Sequence, residues 1–133
     1  MTRIARPAPL ILILLFALGC GVSDAPRTAA VKGTVTMAGK PLPNVGVTFF
    51  PTGKGPIATG NTSEKGEFTL RTTRPGDGAS IGTHQVTFGA AEEGPRKAGS
   101  IAIPDKYSRP STSEVTAEVK AGQTNVFTFD LQP

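Results

Sequence analysis

Val31-Lys32-Gly33-Thr34-Val35-Thr36-Met37-Ala38-Gly39-Lys40-Pro41-Leu42-Pro43-Asn44-Val45-Gly46-Val47-Thr48-Phe49 is the stretch that decides the fold. Val31, Gly33, Val35 and Met37 alternate with Lys32, Thr34 and Thr36. A repeat of two puts one set of side chains on each face of an extended chain, the pattern of a half-buried strand. Ala38-Gly39-Lys40-Pro41 breaks it with turn formers. Val45, Val47 and Phe49 then restore it in a second strand, which Pro51 stops.

The same grammar runs on to the end of the chain. Ile57 to Thr62 reads as a weaker third strand. Glu64-Lys65-Gly66 reads as a tight turn, with Gly66 supplying the positive φ. Phe68 and Leu70 face one way in the fourth strand, opposite Glu67, Thr69 and Arg71. Val86 and Phe88 define the fifth, Val115, Ala117 and Val119 the sixth, and Phe127, Phe129 and Leu131 the seventh. The expectation is an all-β fold, a seven-stranded antiparallel β-sandwich over residues 29–133. If consecutive strands alternate in direction, connections 38–44, 63–66 and 89–113 lie at the end away from the point of chain entry. The longest of these, 89–113, is the expected contact surface; it carries Glu93, Arg96, Lys97, Tyr107 and Arg109. Pro104, Pro110, Ile101 and Ile103 suggest that its second half packs on the domain, leaving 89–100 as the mobile part.

Ahead of this domain the composition changes. Arg3 and Arg6 precede nine unbroken apolar residues, Leu10 to Leu18, and then Gly19-Cys20. A bilayer span needs about 20 apolar residues, so the run is read as a signal-peptide helix over residues 1–19. Ala17-Leu18-Gly19-Cys20 resembles the bacterial lipobox, although Ala17 stands where that motif usually has Leu. The resemblance implies acylation of the Cys20 thiol, the strongest nucleophile among the small side chains, and attachment of the mature chain to a membrane. Gly21, rather than Asp, implies the outer membrane in a Gram-negative cell. Residues 20–28 are the expected lipidated cysteine and flexible tether. Cys20 is the sole cysteine, so no internal disulfide is available.

Val31-Lys-Gly-Thr-Val35, Gly39-Lys-Pro-Leu-Pro-Asn-Val45-Gly-Val-Thr-Phe49 and Gly66-Glu-Phe68-Thr-Leu70 together resemble the carboxypeptidase-regulatory-like domain. Gly82-Thr-His84-Gln-Val86-Thr-Phe88, Ile103-Pro-Asp-Lys-Tyr107 and Thr128-Phe-Asp-Leu131 are similar to small bacterial lipoproteins that carry this one domain. The resemblance implies a prealbumin-like (transthyretin-like) sandwich, no enzymatic activity and no cofactor. Fold of this kind does not specify function.

Composition points the same way. Lys and Arg exceed Asp and Glu by four, and two of the excess, Arg3 and Arg6, fall in the segment expected to be removed. No basic stripe is interleaved with aromatics, so no nucleic-acid partner is expected. His84 is the single His and lies in phase with Val86 and Phe88, which directs it to the core or its rim. No second His, no domain Cys and no carboxylate cluster accompanies it, so neither a catalytic group nor a metal ligand set is expected. Gly76-Asp77-Gly78 lacks the Lys and the helix of a phosphate loop. Lys32 is out of phase with the core, which argues against an isopeptide bond with Asn125. The chain therefore reads as a membrane-anchored envelope module that contacts envelope proteins or polysaccharide, with carbohydrate binding as the alternative. Its oligomeric state is left open.

Overall fold

The computed structural model describes residues 27–91 and 102–133. The alternating segments become strands: β1 (Thr28–Ala29), β2 (Val31–Met37), β3 (Lys40–Pro41), β4 (Val45–Pro51), β5 (Ala58–Asn61), β6 (Glu67–Thr69), β7 (Ala79–Ser80), β8 (Gly82–Ala90), β9 (Thr116–Val119) and β10 (Asn125–Leu131). Among the described residues a single 3₁₀ turn spans Asp105–Ser108. One sheet has β2 at its centre, with β10 on one side and β6 and β3 on the other. The other runs β5-β4-β8-β9. β1 and β7 make a small separate pair, and a lone bridge between Thr59 and Arg71 links the two main sheets at one edge. The architecture is all-β and consistent with a β-sandwich.

Two expectations are corrected. The described residues form ten strands rather than seven, because short pairings occur where turns were read: β3 folds back on Thr36 and Met37, and β1 meets β7. The pairing is also not wholly antiparallel. β10 lies parallel to β2 over seven residues, from Asn125 opposite Val31 to Leu131 opposite Met37. Direction does alternate along the seven longer strands. The seventh therefore runs the same way as the first, and the crossing at 120–124 lands it beside the first rather than beside an opposed neighbour.

Inward residues from both main sheets share one core. Val31, Val35, Val47, Phe49, Leu70, Val86, Phe88, Val119 and Leu131 are all essentially inaccessible. Phe129 is its aromatic hub: its ring lies 5.3 Å from Phe88, 5.8 Å from Phe127, 6.1 Å from Phe68 and 6.2 Å from Phe49, centroid to centroid. Offset and edge-on pairs of this kind add to the area they bury. The Ser63–Glu67 turn has Gly66 at φ +75°, and a Cβ there would press on the Val35 carbonyl oxygen at 2.6 Å. Gly66 is thus required by both backbone angle and space.

The connections sort to two ends. At one, Leu42 N–H donates to Val35, Val35 N–H to Gly66 and Ala91 N–H to Asn44. At the other, Ile81 N–H donates to Arg27, Gly78 N–H to Leu70 and Asn125 N–H to Ala30. Chain entry at Arg27 therefore shares an end with connections 52–57, 70–81 and 120–124. Connections 38–44 and 62–66 and the 3₁₀ turn occupy the other.

Candidate functional site

His84 is fully buried on β8. Its Nε2 lies 2.7 Å from the Ser80 carbonyl oxygen, which can only accept, so Nε2 carries the proton in that contact. Its ring is tilted against Phe49, with centroids 5.5 Å apart, and Nδ1 has no partner among the described residues. A ring enclosed in this way reaches no solute. Among the described residues no three His, Cys, Asp or Glu side chains come together as a metal site.

The predicted contact loop is divided. Cys20, Glu93, Arg96 and Lys97 lie outside the described residues. Arg109 is exposed, and its carbonyl accepts from Thr112 and Ser113 N–H to close a turn. Tyr107 is 5 % exposed, packs edge-on against Phe88, and its hydroxyl accepts from Gln132 N–H at 2.9 Å. The proline-flanked turn presses this ring into the core margin, in line with a second half of the loop that packs on the domain.

The outer face of the β5-β4-β8-β9 sheet offers a better candidate, which the strand pattern did not single out. Register places Thr59, Thr48 and Thr87 side by side across three strands, and Asn61, Gly46 and Gly89 in the neighbouring row. The two glycines leave a trench beside the threonines. The resulting groove, about 550 Å³, is closed by Phe50, Thr69, Arg71 and Ser108. Among the described residues, none of the three threonine hydroxyls is hydrogen bonded and the Arg71 guanidinium has no carboxylate partner. Such a groove presents free donors and acceptors, one cation and one half-buried aromatic ring. Phe50 was readable in the sequence: it follows Phe49 and is therefore out of phase with Val45, Val47 and Phe49.

Asp77 is built into its own loop. Its carboxylate accepts N–H bonds from Thr72 (2.6 Å), Thr73 (2.9 Å) and Arg74 (3.0 Å). Burial opposes its ionisation, but these backbone donors and the Arg74 charge outweigh that and hold the carboxyl below its ordinary value. Asn125 likewise ties down the 120–124 turn, its amide accepting from Lys120 N–H and donating to the Lys120 carbonyl. Lys32 is exposed and pairs with Val126 rather than Asn125.

Comparison with protein-family models, with curated proteins and with solved structures found no significant match.

Proposed function

We propose that this chain is a lipid-anchored envelope lipoprotein whose single domain, a prealbumin-like sandwich of the carboxypeptidase-regulatory-like kind, is a non-catalytic binding or structural module. The observation that carries the reading is Gly19-Cys20 at the end of a basic-then-apolar leader, a short tether ahead of a β domain. Acylation of that thiol holds the domain at a membrane, because several acyl chains together anchor where one is marginal. The enclosed His84 supports a binding role over a catalytic one. In-cell crosslinking of the tagged protein, with mass spectrometry and a Cys20→Ser control, tests it. A protein partner lost in the control is the expected result. Partners unchanged by loss of the anchor would overturn the reading.

Carbohydrate binding is the second reading, and the groove favours it. Phe50 beside a row of free hydroxyls, Asn61 and Arg71 matches the mix of ring face and polar groups that a sugar engages. Recovery of polysaccharide instead of protein, abolished by Thr48→Val with Arg71→Ala, would establish it.

A further inference from the structure

We infer that the end of the domain nearest the tether is a docking face for an anionic phospholipid bilayer, so that the module lies against the membrane rather than swinging free of it. This rests on the lipid-anchor reading and deepens it. Three large apolar side chains are exposed among the described residues: Ile57 (48 %), Ile81 (39 %) and Val126 (64 %). All three lie toward one end. Ile57 closes the β4–β5 connection, Ile81 bonds through its N–H to the Arg27 carbonyl, and Val126 is the second residue of β10, opposite Lys32.

Charge is sorted in the same sense. Arg27, Lys32, Lys54, Arg74 and Lys120 surround this end, with only Asp77 and Glu118 as carboxylates. Asp77 is already engaged by three backbone N–H groups. At the opposite end the two signs nearly balance: Glu64, Glu67, Asp105, Glu114 and Asp130 stand among Lys40, Lys65, Lys106 and Arg109. Scattered exposed apolar residues need no explanation. Three confined to the cationic end, where the chain enters, form the pattern of an interfacial anchor: apolar side chains for the acyl boundary and a cationic rim for the headgroups.

Tether length agrees. Seven steps separate Cys20 from Arg27, and a chain that short reaches at most about 25 Å. The acylated cysteine therefore keeps the cationic end within a few Debye lengths of the headgroups. The opposite end, where the charges nearly balance, is turned to the surroundings.

The test uses the acylated protein in vesicles. Acylation consumes the only thiol, so Ile57→Cys, or Lys65→Cys at the far end, supplies a unique site for an environment-sensitive fluorophore. In vesicles containing phosphatidylglycerol, the probe at position 57 is expected to be quenched by spin-labelled lipid and the probe at 65 to be unaffected. Quenching should vanish in phosphatidylcholine alone, and in 1 M salt, where the Debye length is about 3 Å. Lys54→Gln with Lys120→Gln should weaken docking about 25-fold, at roughly fivefold per charge. Equal quenching at both positions, indifference to anionic lipid, or protection of position 57 by self-association without vesicles would overturn the proposal. Intact mass reads the anchor separately. If Cys20 carries no acyl group, the anchor reading fails on its own, and flotation of the same chain on phosphatidylglycerol vesicles decides the docking face: anionic-selective flotation supports it and none overturns it.

Discussion

Replacing Gly78 by alanine tests how the entering chain is fixed to the domain. Gly78 has φ +82°, and a Cβ built there would collide with the carbonyl oxygen of Ala29. Ala29 is backbone of β1, held by pairing with Ala79, so it has little freedom to withdraw. Gly76, two residues earlier, has φ +78° but nothing within 4 Å of its Cβ position. The two substitutions share the left-handed backbone penalty, about 1–2 kcal/mol. Gly78→Ala adds overpacking against main chain, a further ~1–3 kcal/mol. The expected losses are about 1–2 kcal/mol for Gly76→Ala and about 2–5 kcal/mol for Gly78→Ala. Against a typical total of roughly 5–15 kcal/mol, the second is severe. Urea unfolding of the Cys20→Ser chain measures both, with an unchanged slope as the check that the change lies in stability. Equal losses for the two alanines would refute the close crossing of β1 over Gly78.

Tyr107→Phe should cost about 1 kcal/mol through the lost bond from Gln132 N–H, read by urea unfolding, and leave partner binding intact. Loss of binding with stability unchanged would return Tyr107 to the contact surface. His84→Ala should cost about 3–4 kcal/mol, from the cavity and the Ser80 carbonyl left without its donor, with binding by the folded fraction unaffected. Asp77 gives a pH dependence of known sign. Its folded pKa lies below the ordinary 3.8, so its contribution is fully present above that value and is lost as pH falls through the folded pKa. Asp77→Asn should therefore be less stable than the parent at pH 7, and the gap should close in acid; a gap independent of pH would contradict the role of the ionised carboxylate.

Much of the fold was legible because alternation is local. Val31–Met37, Val45–Phe49 and Phe127–Leu131 show their buried faces residue by residue, and the Gly66 turn is announced by its composition. What escaped the sequence depends on partners far along the chain. The parallel match of β10 to β2 joins residues more than 90 positions apart, and nothing in Phe127–Leu131 signals the direction of its neighbour. The prolines suggested that the second half of the long loop packs on the domain, but the contact with Phe88 that buries Tyr107 was not readable from them. The groove needed register, since Thr48, Thr59 and Thr87 become neighbours only once three strands are aligned. The cationic end was nearly legible: Lys54, Arg74 and Lys120 all fall in connections that alternating strand direction sends to the side of chain entry.

The most direct test is the intact mass of the protein extracted from membranes with detergent. The account predicts a chain that starts at Cys20 and carries the added mass of acyl chains, reduced to an unacylated, unanchored product by Cys20→Ser. An unmodified Cys20 in the mature protein, or membrane partitioning unchanged by Cys20→Ser, would contradict it.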